Sequence, residues 1–413
     1  MVTPSWRERI DHWRDSRALR RIAAVVVVIA AFLYPLVASS GTGLDTATVA
    51  EVFILLALGL NIVVGFAGLL DLGYAAFFAI GAYTTALLAS THFAIGNQTH
   101  TSLLLSYGPN GVHVNFFLLI PIAALAAALC GILFGAPTLR LRGDYLAIVT
   151  LGFGEIVPKV IENLGPGNSV GLPNITNGVN DITGIDSPPN INLGPIHWTF
   201  QTNDPRPWYY LGLIIVVISV IIIYRLRSSR LGRSWVAIRE DEIAAAHAGI
   251  NITGTRLTAF ALGAAFSGFG GLLEASRLGT VDYTEFLFNF SITILVMVIL
   301  GGMGSIPGAV LGGIVIAYLN QSWLTNAAAG INNFGGWLEK GPGLIHTLGV
   351  WLSGLPLASA KPMIFGIILV GIMLLRPQGL LPSGRRAREL HPRTAGELAE
   401  EDSELYTVRT GEI

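Results

Sequence analysis

Between Ile22 and Arg376 the sequence returns repeatedly to apolar runs close to the ~20 residues an α-helix needs to cross a bilayer. This recurrence limits the fold more than any motif does. Inside hydrocarbon each backbone N–H and C=O must be bonded within its own segment or closed sheet, and runs of this length and apolarity do so as helices. Composition agrees: charged residues make up 12% of the chain and mean hydropathy is +0.62, against roughly 25% charged in an ordinary soluble domain. The expected fold is therefore all-α and polytopic. Spans are expected at 22–38, 48–66, 73–91, 116–137, 144–162, 208–226, 256–275, 285–301, 307–325 and 361–376.

The basic residues orient these ten spans. Arg7, Arg9, Arg14, Arg17, Arg20 and Arg21 precede the first, and Arg140 and Arg142 precede the fifth. Arg225, Arg227, Arg230, Arg233 and Arg239 lie between the sixth and seventh; Arg376, Arg385, Arg386 and Arg388 follow the tenth. The alternate segments are almost bare: 92–115 has no Lys or Arg, 163–207 only Arg206, and 326–360 only Lys340. Arginine collects on the cytoplasmic side, so both termini are expected there. The chain then divides into a basic segment 1–21, read as leading into an uncleaved first helix, a membrane domain 22–376 and a tail 377–413 that turns acidic at Glu397, Glu400, Glu401, Asp402 and Glu404. The outer segment 163–207, rich in Gly, Pro and Asn, is too long for a plain connector.

Several classes of chemistry find no support. The three lysines, Lys159, Lys340 and Lys361, never follow a glycine, so the chain has no G-x-x-x-x-G-K-[ST] and does not hydrolyse ATP through a P-loop. The eight histidines lack metal-ligand spacing. A net charge of −1 without a basic, aromatic-studded stripe gives no sign of nucleic-acid binding. Cys130, the single cysteine, falls inside an apolar run, a small core residue by expectation. No catalytic group, metal or bound cofactor is expected.

Four features invite a functional reading. In "LRLRGD", 139–144, Arg140 and Arg142 can anchor the cytoplasmic leaflet, Gly143 permits a tight turn and Asp144 can cap the incoming helix. Glu155 stands in the middle of that helix. A carboxylate at such a depth costs about 2.5–3.5 kcal/mol on insertion scales and faces a partner or a cavity, so it either bonds a neighbouring helix or lines a polar path. In the cytoplasmic loop 227–253, Asp241 suits an N-cap, Glu242 a first turn, His247 a last turn and Gly249 the C′ stop. The helix so defined is too short to stand alone in water; it is a solvated connector or it packs on a partner through its alanine face. Glycine is concentrated in 61–83, which also holds Asn61, Asp71 and Tyr74, and in 299–313. Such stretches pack helices tightly or break them to open a path.

"GLLDLGYAAFFAIGAYTTALL", "LRLRGDYLAIVTLGFGEI", "SRLGRSWVAIREDEIAAAHAGIN", "LGGMGSIPGAVLGG" and "RPQGLLP" follow one another in this order. Together they resemble the permease subunit of branched-chain amino-acid ABC importers, the LivM type, over about 45–90, 116–325 and 361–382. The resemblance implies a helical permease of the bacterial inner membrane that binds no cofactor itself. It works with a second homologous permease, two cytoplasmic ATP-binding subunits that use the ATP, and an extracytoplasmic binding protein. It further implies that 229–251, with Arg239, Asp241, Glu242, Ala244, Ala245 and Gly249, contacts an ATPase. Glu242 sits one position upstream of the family's glutamate, Asp71 and Tyr74 stand in place of a serine and a histidine, and the outer segments 92–115 and 326–360 are longer than usual. Glu155, Asn61, Tyr74 and Asp71 are the residues expected along the substrate path. The cargo expected is a small apolar amino acid, with urea or an amide as the alternative within the family. A secondary transporter using Glu155 as a proton relay would not need the docking helix, and an intramembrane enzyme would need an acidic or histidine cluster.

Overall fold

The computed structural model describes residues 17–37, 41–93, 99–102, 104–139, 144–167, 171, 173–193, 196–200 and 204–339, with isolated positions from 346 to 381. Helix α1 spans Arg17–Val37 and α2 spans Gly41–Leu60, running directly into a π-turn at Asn61–Phe66. There follow α3 (Ala75–Leu88), α4 (Phe116–Thr138), α5 (Asp144–Asn163) and α6 (Pro205–Ser228). Two shorter helices, α7 (Arg230–Glu240) and α8 (Glu242–His247), lead to α9 (Ile252–Leu278), α10 (Phe288–Gly301), α11 (Ile306–Tyr318) and α12 (Leu324–Leu338).

Four of these stretches are long and apolar enough to cross a membrane: Thr42–Phe66, Phe116–Thr138, Pro205–Ser228 and Ile252–Leu278. α3 and α10 are apolar but shorter, and α5 carries Glu155, Lys159 and Glu162 along its length. The expected span 307–325 breaks: α11 ends at Tyr318, a π-turn occupies Leu319–Trp323, and α12 continues. The span expected at 285–301 opens with a 3₁₀ turn, Tyr283–Phe286, before α10 begins at Phe288. Of 361–376, seven scattered positions are described, all helical. The segment 1–16, the anchor residues Arg140, Arg142 and Gly143, and the tail from 382 lie outside the described residues; Asp144 opens α5.

α2 and α9 form the centre of the bundle. Close approach there depends on missing side chains: a methyl at Gly263 would meet Val63, one at Gly268 the Ala123 carbonyl, and one at Gly271 the backbone of α3. Small residues are how helices associate where lipid removes the hydrophobic drive. α4 and α6 instead present rows of exposed aliphatics, Leu125, Leu129 and Leu133 on one, Ile214, Ile218 and Ile221 on the other, as a lipid-facing flank requires.

Connections sort cleanly to the two ends of the bundle. At one end, β1 (Ala89–Ser90), β2 (His100–Thr101), β3 (Leu105–Gly108) and β4 (Gly111–Val114) make an antiparallel sheet ordered β1-β4-β3-β2. β5 (Ile182–Thr183) pairs with β8 (Thr280–Val281), and β6 (Ile191–Leu193) with β7 (Ile196–Trp198). Asp186 ties this cap together: its N–H donates to Ala89 O at 2.8 Å and its carboxylate pairs with His113 Nδ1 at 2.7 Å. Burial lowers the His113 pKa, but the Asp186 carboxylate and Asn110 carbonyl raise it more, and the net shift is upward. The described parts of 163–207 thus contribute β5, β6, β7 and Asp186 to this cap. The other end holds the turn after α2, the α7–α8 pair, the α10–α11 turn and residues 379–381.

Candidate functional site

That second end brings the sequence segments singled out above into one seam. The π-turn that closes α2 is its centre. Asn61, wholly buried, accepts from Gly304 N through Oδ1 at 2.8 Å and donates through Nδ2 to Ser305 O at 3.3 Å. It thereby joins α2 to the tight turn between α10 and α11. A methyl at Gly65 would strike both Asn61 and Gly304, and Gly301 packs directly on Gly308 across the turn. The last carbonyls of α10, which helix geometry leaves open, are taken by the chain's distal segment: Leu380 N donates to Leu300 O at 2.8 Å and Leu381 N to Gly301 O at 3.0 Å.

The turn 67–74 continues the seam. Asp71 is 2% exposed; Oδ1 accepts from Gly73 N at 2.9 Å, while Oδ2 has no partner among the described residues. Burial raises its carboxyl to about 7, against the lowering effect of the Gly73 N–H. Leu72 N donates to Thr150 Oγ1 of α5 at 3.1 Å, and Gly73 lies on the Thr150 carbonyl. Tyr74 is fully buried and donates to Gly263 O of α9 at 2.7 Å. Asn61, Asp71 and Tyr74 were expected along the substrate path. Among the described residues their polar atoms bond largely to backbone groups of this packed seam.

The loop 227–253 was expected to hold one short helix and holds two. α7 was missed although Leu231, Trp235 and Ile238 follow an i, i+4, i+7 helical spacing; Trp235 and Ile238 are buried, while Leu231 is exposed. Trp235 is wholly buried and donates through Nε1 to Thr255 O at 2.8 Å. In α8 the Asp241 side chain accepts from Ile243 N and Ala244 N, both at 2.9 Å, and Gly249 turns the chain with φ +81°. Glu242 pairs with Arg256 of α9 at 2.8 Å. The alanine face needs correction: Ala245 is buried against the chain itself, whereas Ala244, Ala246, His247 and, above all, Ile243 are exposed. Six residues cannot bury two opposite faces, and the one fixed by Asp241 and Glu242 is turned inward.

Arg239, the last basic residue of α7, reaches the π-turn. Its guanidinium donates to Gly65 O at 2.6 Å, and its aliphatic stem covers Gly68. At φ +71°, Gly68 occupies the left-handed region, and a side chain there would also strike the arginine. Arg227, at the end of α6, lies 5.7 Å from the centre of the Phe66 ring, within cation–π range.

Glu155 stands apart from the seam. It is exposed on a flank of α5 shared with Tyr145, Ile148 and Ile156, which no other described residue covers. The sequence reading also passed over Glu51, in the interior of α2. Glu51 is 4% exposed, and neither carboxylate oxygen has a hydrogen-bond partner among the described residues. Its Oε2 fills the place of the side chain that Gly212 of α6 lacks. The signal was available, since any acid inside an apolar run invites the question asked of Glu155. Among the described residues no three His, Cys, Asp or Glu gather as metal ligands.

The structure is a helical bundle in which four helices are long and apolar enough to cross a membrane and one end is closed by broken helices and small residues. Comparison with known proteins narrows this. Residues 42–375 match the family described as branched-chain amino acid transport system / permease component, and the chain belongs to that family. It is 37% identical over 386 residues to the high-affinity branched-chain amino acid transport system permease protein LivM of Escherichia coli K12, covering 90% of this chain and 77% of that one. A probable LivM of Methanocaldococcus jannaschii is 26% identical, with 80% of this chain and 90% of that protein covered. LivH of Salmonella typhimurium is 25% identical over 65% of this chain and 80% of its own length. No solved structure matches.

Proposed function

We propose that this chain is the membrane-spanning permease subunit of an ATP-binding-cassette importer that carries a branched-chain amino acid across the bacterial plasma membrane. The observation that carries the reading is the inner seam, where segments shared with the family meet and α7–α8 is anchored at its edge with Ile243 turned outward. In this reading residues 22–376 form the permease domain, ten spans put both termini in the cytoplasm, and 377–413 is a cytoplasmic tail. ATP is bound and used by two partner subunits, one seated on the exposed side of α8. The strand-built cap faces outward and receives the substrate-binding protein. A second, homologous permease covers the Glu155 flank of α5, because an acid on that flank suits a subunit interface better than lipid. The substrate passes between the two permeases, with Glu155 facing its ammonium group.

Purification from detergent and reconstitution test this directly. Two ATP-binding chains and a second permease should co-purify, and leucine uptake should require ATP inside and binding protein outside. Proton-driven accumulation by this chain alone overturns the reading. For topology, a cysteine at Val179 in a Cys130→Ser background should label from outside, and one in 385–405 only once the inner face is opened. External labelling of the tail ends the ten-span model.

A further inference from the structure

Two arginines from different helices close on the same six-residue π-turn. Arg227 leaves the end of α6 and sits over Phe66; Arg239 leaves the end of α7 and bonds Gly65 O. The turn they hold is the point at which α2 stops being a regular helix, and π-turns inside helices mark sites of functional adjustment. Asn61, at the start of the same turn, is bonded to both sides of the α10–α11 turn. A continuous chain of contacts therefore runs from the loop 227–253 through Arg239 to Gly65, and from the π-turn through Asn61 to the backbone at Gly304 and Ser305. α2 and α11 themselves pack tightly, Gly313 lying on the Ile54 backbone. A displacement of α7 cannot leave the π-turn where it is without breaking the charge-assisted bond to Gly65 O or dragging the arginine stem across Gly68.

We propose that Arg239 is the positioning residue that transmits movement of the α7–α8 pair to the broken-helix seam, with Arg227 as the second grip on the same turn. This rests on the reading of 227–253 as the segment an ATPase engages. It adds the inward half of the linkage: the α8 surface receives the movement and Arg239 passes it to α2 and α11. The arginine is suited to the task because its bond is to a backbone carbonyl. Through that bond it follows the path of the chain itself.

The test uses the assembled importer in liposomes, comparing Arg239→Ala, Arg239→Lys and Gly68→Ala with the parent for leucine accumulated per ATP hydrolysed. Co-purification of the ATPases with the parent, and its ATP-driven uptake, establish the underlying reading separately; if the parent does neither, both that reading and this inference fall. Given a working parent, Arg239→Ala should lower the uptake-to-hydrolysis ratio about tenfold, the range of a typical coupling between sites. Arg239→Lys, which can still donate to Gly65 O, should recover most of it. Gly68→Ala, which displaces the arginine stem without touching the guanidinium chemistry, should fall between them. A ratio within twofold of the parent for Arg239→Ala overturns the proposal. So does a loss of assembly that Arg239→Lys fails to restore while Gly68→Ala keeps the parental ratio, because the arginine then only holds the fold together.

Discussion

Glu51 and Glu155 pose the same question in the sequence and receive opposite answers in the structure. Each is an acid within an apolar helix. Glu51 is enclosed where α2 meets α6, beside a glycine that makes room for it and without a hydrogen-bond partner among the described residues; Glu155 is exposed on a flank of α5. An insertion cost alone says that such a residue needs an environment, not whether its own chain supplies one. Glu51 has its environment within the fold. Glu155 requires something outside it, which is what makes it the candidate for an interface or a path.

The strongest way to break this contrast is through the notch that holds Glu51. Gly212→Val places branched carbons where the carboxylate now sits, forcing α2 and α6 apart at a closely packed contact. Overpacking of this kind costs about 1–3 kcal/mol. The amount of protein recovered folded in detergent should drop more than for any other substitution named here. Parental yield would mean that the Glu51 side chain swings out easily and that the site is not closed.

Glu155→Gln should come next and act on a different measurement. With the flank of α5 uncovered in the isolated chain, folding and yield should stay near the parent. Uptake should fall about tenfold, the value of one charge-assisted hydrogen bond to a substrate ammonium. If yield collapses while transport per folded molecule is preserved, Glu155 is a packing residue like Glu51, and the contrast fails.

Asp71 supplies a third acid, buried in the turn 67–74, and a pH signature. Its carboxyl is held at about 7 by burial, above the ordinary 3.8, so the folded chain keeps this proton when the unfolded chain has lost it. Stability from this group is therefore greatest below its unfolded pKa. It declines as pH rises through the window from about 4 to about 7, then levels off. Asp71→Asn keeps an acceptor for Gly73 N and has nothing to ionise. The fall in apparent Tm between pH 5 and 8 should be a few degrees smaller for Asp71→Asn than for the parent. Identical slopes would place water or another partner at Oδ2.

Much of the helical structure was legible because hydropathy is a property of single segments. The capped α8 could be read from Asp241 to Gly249, and spans 116–137 and 208–226 lie within observed helices. What could not be read depends on contacts between segments. The π-turn at Asn61 exists because Gly304 and Ser305 lie across from it, and no local pattern in "NIVVGF" announces that. The strands of the cap are two to four residues long, below the length at which alternation becomes a signal. Asn61, Asp71 and Tyr74 were picked out because they are polar within glycine-rich sequence. Their bonds to Gly73, Gly263 and Gly304, which tie the broken helices together, could not be read there, because the partners are set by contacts between segments. α7 and Glu51 were different: both carried local signals that a stricter application of spacing and charge rules would have found.

The smallest effect expected is that of Glu51→Gln. No described group donates to or pairs with its carboxylate, and an isolated ionised acid in so dry a place is costly. The site therefore requires the shape of the side chain, which fills the Gly212 notch, more than its charge. Glu51→Gln preserves that shape and exchanges the carboxyl group for an amide of the same size, so yield, apparent Tm and uptake should all remain close to the parent. Glu51→Ala removes the side chain beyond Cβ and leaves the notch empty, so it should lower stability by the cost of a cavity, about 2 kcal/mol or more in a packed interior, and lower apparent Tm accordingly. The pair of substitutions separates shape from charge at one position. Near-silence of Glu51→Gln beside a clear loss in Glu155→Gln would show that two acids at similar places in the sequence pattern do unrelated work. A large uptake defect in Glu51→Gln, with folding intact, would show the reverse: that a proton on the buried acid takes part in transport and that the enclosed site opens during the cycle.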